Sequence, residues 1–111
     1  LHKFLIKRNN KQCILINGWK QGISFESDEC TLQLTSWLND KRDGKEITLY
    51  DGELWTKYNF KNGRRHGILI EYIFNSKPKL HMVELFKEGQ LKIRIGYNAW
   101  NGKIRSIKFN Y

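Results

Sequence analysis

The sequence predicts an all-β fold: an antiparallel meander of about five hairpins, curved or partly closed, in a single repeat domain over residues 1–111. Three observations lead there. A short frame recurs at near-regular spacing. Two-residue turn signals separate runs of strand-forming residues. No segment shows helical periodicity.

The frame is clearest at residues 60–67, FKNGRRHG. It recurs as LINGWKQG at 15–22, as WLNDKRDG at 37–44 and, with its last glycine lost, as FKEGQLKI at 86–93. It consists of a large apolar residue, a spacer, Asn or Glu, Gly or Asp, three free positions and usually Gly. The fourth position falls at Gly18, Asp40, Gly63 and Gly89, at steps of 22, 23 and 26 residues. A period in this range marks stacked supersecondary units. The units run approximately 1–21, 22–43, 44–66, 67–92 and 93–111.

Between the frames lie paired strand-like runs. The first pair is KFLIK and QCILI around RNNK, and the second is ISFES and CTLQLTSW around DE. KEITLY and ELWTKYNF flank Asp51–Gly52, a hairpin signal because both turn residues must take positive φ. ILIEYIF and LHMVELF flank NSKPK, a longer turn that accounts for the 26-residue step. KIRIGYNAW and KIRSIKFNY flank Asn101–Gly102. Gly18, Gly22, Gly44, Gly52, Gly63, Gly67, Gly89 and Gly102 are therefore expected at structural turns. Alternation is partial: Leu54, Thr56, Tyr58 and Phe60 lie together opposite Trp55 and Lys57, and Leu91, Ile93, Ile95 and Tyr97 lie together opposite Lys92 and Arg94. One face reads as apolar. A flat single layer would leave it wet, so the sheet is expected to curl around its aromatics or to be covered.

The net charge is +9, with 20 Lys and Arg against 11 Asp and Glu. Residues 1–25 and residues 92–111 each carry five basic residues and no acid. This suits either attraction to a polyanion or protection of edge strands by lysine. No apolar run approaches the roughly 20 residues that span a bilayer. There is no signal-peptide pattern. The chain opens on Leu1, so targeting is left unassigned, with a cytoplasmic setting as the expectation. Cys13 and Cys30 form no paired motif and are expected as free, partly buried thiols.

The stretch DGELWTKYNFKNGRRHG resembles the repeat of the MORN superfamily. It is most similar to the variant found in bacterial proteins of the YwqK-type antitoxin family. Gly52, Leu54, Phe60, Lys61, Asn62, Gly63, His66 and Gly67 carry the resemblance. It extends over about residues 15–111. Asp40 and Ile93 stand where the pattern has glycines, and Ser76 with Pro78 disturbs a third unit. The resemblance implies a meander of hairpins that binds proteins and, in some members, acidic phospholipids. It implies no active site.

Candidate binding residues follow. Arg64, Arg65 and His66 could hold a phosphate, but as a repeated turn they need no such role. Trp19, Trp55 and Trp100 are candidate exposed anchors, while Trp37 at a frame position is expected in the core. His81 and Glu84 have helical metal spacing, yet on a strand they point to opposite faces. Residues 96–103, GYNAWNGK, do not make a phosphate loop, because Ile104 stands where a hydroxyl residue should be. No catalytic set, metal centre or cofactor is expected, and no small-molecule substrate. The expected partner is a protein. The alternative is nucleic acid or anionic phospholipid held by the basic end hairpins.

Overall fold

The computed structural model describes residues 3–8, 11–75 and 77–110. Its strands are β1 (Lys3–Arg8), β2 (Lys11–Ile16), β3 (Trp19–Ser27), β4 (Thr31–Leu38), β5 (Lys41–Tyr50), β6 (Glu53–Lys61), β7 (Arg64–Arg65), β8 (Gly67–Asn75), β9 (Lys77–Lys87), β10 (Gln90–Tyr97) and β11 (Ile104–Phe109). Ten of them form one antiparallel meander in sequence order, and the two-residue β7 pairs with β6 beside β8. The fold is all-β. The sheet does not close: β1 and β11 are its two opposite edges. The Arg8–Lys11 turn falls on residues 9 and 10, outside the described residues.

The tight turns follow from residues that accept the left-handed region. Asn17–Gly18, Asn39–Asp40, Asp51–Gly52, Asn62–Gly63 and Glu88–Gly89 each place two consecutive residues at positive φ. That is the two-residue turn whose twist matches the strands it joins. The eight glycines expected at turns all have positive φ. At Asp40 (φ 66°) the strain of a non-glycine residue is offset by its side chain. Its Oδ1 accepts the Lys20 N–H at 3.1 Å.

Gly22, Gly44 and Gly67 sit at register breaks. In β4–β5, Thr35 pairs with Glu46 and Trp37 with Arg42, so Ser36 alone faces three residues centred on Gly44. A Cβ on Gly44 would lie 3.2 Å from that of Ser36. In β2–β3 Cys13 likewise faces the three residues from Gly22 to Ser24. In β9–β10, where Ile93 replaces the glycine, the break shrinks to a single extra residue, Lys92. The bulge narrows where the permissive residue is lost.

Three sequence expectations need correction. The last turn is not the two-residue Asn101–Gly102. β10 ends at Tyr97, and Asn98 to Lys103 form a loop. The Asn98 and Asn101 side chains accept the N–H groups of Trp100 and Lys103, so local bonds replace the ladder there. Pro78 lies inside β9 opposite Phe74 and not in a turn. Its missing donor is tolerated because pairing with β10 stops short of it, at Met82. Leu91 leaves the face of Ile93 and Ile95, because the bulge at Lys92 turns it to pair with Phe86, and Leu54 leaves the face of Thr56, because the extra residue Trp55 turns it to pair with Leu49.

The sheet measures 51 × 36 × 12 Å. An ordinary twist of about 20° per strand pair would turn the last strand roughly half a circle from the first. The 12 Å thickness leaves no room for that, so the molecule is a shallow open layer. Among the described residues the buried apolar side chains are Phe60, Leu69 and Phe86, and no large side chain is fully enclosed.

Candidate binding faces

The register separates two faces. One carries a row running through Ser24, Thr35, Glu46 and Tyr58, continued by Leu69, Glu84, Arg94 and Lys108. Beside it run Gln33, Thr48, Thr56, Glu71, Met82, Gly96 and Ser106. Thr35, Glu46, Thr56, Phe60, Leu69, Glu84 and Phe86, the buried side chains among the described residues, all lie on this carboxylate face. The other face carries Phe25, Leu34, Ile47, Lys57, Ile70, Val83, Ile95 and Ile107 in one row. Ile68, Leu85, Ile93 and Phe109 continue a second row that includes Lys45 and Asn59. This aliphatic face is the open one. Ile68 is 55% exposed, Ile107 51% and Phe109 53%.

The two deeply placed acids are held differently. Glu84, 3% exposed, receives the Arg94 Nε–H at 2.7 Å, a charge-assisted bond. Glu46, 4% exposed, takes Gln33 Nε2–H at 2.6 Å and Thr35 Oγ1–H at 3.1 Å on one oxygen, with Arg42 Nε at 3.9 Å from the same atom. Burial raises the Tyr58 hydroxyl above its usual range. The Arg65 charge opposes that shift, and the carboxylates of Glu71, Glu46 and Glu84 add to it. Desolvating a phenolate among carboxylates favours the neutral form.

The frames turn out to be joints between successive units. The sixth frame residue is Lys20, Arg42 or Arg65. Its cation lies over the first residue of the next frame: Lys20 4.4 Å from the Trp37 ring, Arg42 5.4 Å from Phe60, Arg65 5.5 Å from Phe86. Its carbonyl accepts the N–H of the next frame's fourth residue, Asp40, Gly63 or Gly89. The seventh residue reaches the next frame's third. Gln21 donates to Asn39 Oδ1, Asp43 accepts from the Asn62 N–H, and His66 Nδ1 accepts from the Glu88 N–H.

The candidates named from the sequence fall into place accordingly. Arg65 and His66 belong to the joint, and the Arg64 side chain packs beside Gly89. Trp37 is half-buried and not enclosed: its Nε1–H donates to Ser24 Oγ at 2.8 Å. Trp19 is exposed at the first frame turn. Trp55 packs edge-on against Tyr50 at the opposite margin, and Trp100 is exposed in the last loop. The three tryptophans are not brought together into one anchor cluster. Cys13 and Cys30 are free, with Cys30 exposed where partial burial was expected. His81 and Glu84 do not converge: His81 Nε2 lies 3.9 Å from Glu71 instead. No helix is long and apolar enough to cross a membrane, and no group of three metal-ligating side chains occurs among the described residues.

Sequence reasoning missed Glu46 and the recurring cation. Its signal was present: a basic residue five positions after the frame's first residue in three of the four frames, with Leu91 in the fourth, where no further frame follows.

No protein-family model matches the chain, and no curated protein does. Among solved structures the chain is similar to TarM, at 15% identity and a TM-score of 0.42. It is similar also to a mutant of S. aureus TarM in complex with fondaparinux, alpha-GlcNAc-glycerol and UDP, at 13% identity and the same TM-score. Each match covers 96% of this chain and 19% of the other, so the chain spans about a fifth of the length of those proteins.

Proposed function

We propose that the chain is a non-catalytic, MORN-like repeat module that docks another protein against its aliphatic face. The observation that carries this reading is the single open layer with Ile68, Leu85, Ile107 and Phe109 exposed on one side. Contiguous apolar surface of that kind marks interaction sites in soluble proteins. Lys45 and Lys57 are the charged residues of its two central rows, and neither row contains an acid. A partner that sets carboxylates around an apolar centre would complement it. The resemblance of residues 44–67 to a protein-binding repeat family supports the same reading. The basic end hairpins support an alternative, a polyanion or an anionic phospholipid surface. They lie at opposite edges of a 51 Å sheet, so only an extended or planar partner could engage both.

The test places the photo-crosslinking residue p-benzoylphenylalanine at position 68 or 107 on the aliphatic face, and at position 48 on the carboxylate face. Discrete cross-linked products from 68 and 107, absent from 48, are expected in the native host. Equal products from both faces, or none from the aliphatic face, refute the reading.

A further inference from the structure

The carboxylate face holds a hollow of about 400 Å³ between β2 and β5, on the side away from the proposed docking face. Two register breaks shape it. At each, one residue faces three, Cys13 in β2–β3 and Ser36 in β4–β5, which spreads the side chains between them.

The hollow carries an incompletely satisfied acid. Gln33, Thr35 and Arg42 all approach Oε1 of Glu46. Among the described residues no hydrogen bond reaches Oε2. A carboxylate offers about four acceptor directions, and Oε2, which is not shut off from solvent, keeps its share open to an incoming donor. Gln33 spends its amide N–H on Glu46, and this turns its carbonyl oxygen toward use as an acceptor. Trp37 forms an aromatic wall, fixed by its bond to Ser24.

The lining charges nearly balance. Lys11, Lys20 and Arg42 stand against Glu26 and Glu46, and Lys11 is already paired with Glu26 at 3.2 Å on the rim. An anionic ligand would meet Glu46, and a cationic one would meet Lys20 and Arg42. A neutral ligand with several adjacent hydroxyls avoids both conflicts. Each hydroxyl donates and accepts, so it can bridge Glu46 Oε2 to Arg42 or Lys20. A ring with an apolar C–H face would lie against Trp37 in place of the Lys20 ammonium, which stands 4.4 Å from the ring centroid and would pass to a ligand hydroxyl, in a pocket that joins aromatic surface to a few placed polar groups. We propose that this hollow binds a neutral pyranose sugar unit, with Glu46 and Trp37 as its main determinants.

The test is NMR titration of the ¹⁵N-labelled protein with glucose, galactose, mannose and N-acetylglucosamine. It follows the indole N–H peak of Trp37, identified by its loss in Trp37→Phe. At least one of these sugars should shift that peak saturably and leave the Trp19 and Trp100 peaks in place. Glu46→Gln, with melting confirmed unchanged, should weaken that sugar at least tenfold. If Glu46→Gln unfolds, Gln33→Glu supplies the same readout, since it puts a like charge beside Glu46. The proposal is overturned if no sugar of the four moves the Trp37 peak. It is overturned too if the shift persists in the folded variant, or if inorganic phosphate or spermidine moves the peak where sugars do not.

Discussion

Arg65 is tied to Phe86 across the boundary between two repeat units. Its guanidinium lies 5.5 Å from the ring, and its carbonyl accepts the Gly89 N–H at 2.8 Å three residues further along. The same side chain lies 5.3 Å from the Tyr58 ring, so one cation bridges aromatics of adjacent hairpins. Replacing Arg65 with Ala, Phe86 with Leu, and both together should give a coupling of about 0.5–1 kcal/mol in a double-mutant cycle read by urea denaturation. A coupling indistinguishable from zero would leave the backbone bond as the sole link.

Gly63 tests the turn itself. Its φ of 80° lies where an L side chain is strained, and only the Lys41 Cβ comes near a Cβ built there, at 3.8 Å. Gly63→Val should therefore cost about 1–2 kcal/mol through backbone strain and not through collision. Arg64→Ala should move the thermal midpoint far less. Equal losses from the two would mean that the charges, and not the turn, hold this segment.

Arg94 and Glu84 form the second test of the carboxylate face. Arg94→Met leaves a 3% exposed carboxylate without its donor and should destabilise by about 1–3 kcal/mol. Adding Glu84→Leu should recover most of that loss, since paired removal takes the uncompensated charge away. Chemical denaturation of the single and double variants decides it. A double variant worse than the single would show that Glu84 supports more than Arg94.

Asp28 sets a pH dependence. Its Oδ1 accepts the N–H groups of Thr31 and Cys30, and these bonds hold its carboxyl below the ordinary 3.8. A carboxyl depressed on folding stabilises the fold above its unfolded pKa, and that contribution disappears as pH falls through the folded value. Asp28→Ala should lower the melting temperature at pH 6. The gap between variant and parent should close on titration below the ordinary value. A gap that stays constant down to pH 2 contradicts the assignment.

The β11 margin supplies a last test. Lys103, Arg105 and Lys108 are exposed along the loop and edge strand that end the sheet. Changing all three to Ser should lower solubility, because an unpaired edge loses its like-charge protection, and leave partner binding intact. Loss of binding with the fold preserved, mimicked by raised salt in the parent, would favour the polyanion alternative.

The sequence by itself determined the meander, its period and the turns at Asn17–Gly18, Asn39–Asp40, Asp51–Gly52, Asn62–Gly63 and Glu88–Gly89. These rest on local chemistry: Asn-Gly and Asp-Gly pairs choose one turn, and strand-forming runs between them leave little choice of partner. It determined where the frames fall but not what they do, because the contact of Lys20 with Trp37 spans 17 residues and exists only once neighbouring hairpins are in register. Faces were legible where alternation runs unbroken or where three residues face one, as at Gly22 and Gly44, since that break keeps the parity. A single extra residue, as at Trp55 or Lys92, reverses the alternation counted along the chain, which is why Leu54 and Leu91 were placed on the wrong side. Tertiary structure alone decided that the polar face would be the crowded one and the aliphatic face the open one. Cations stacked on aromatics draw the first together, and among the described residues no second layer covers the other.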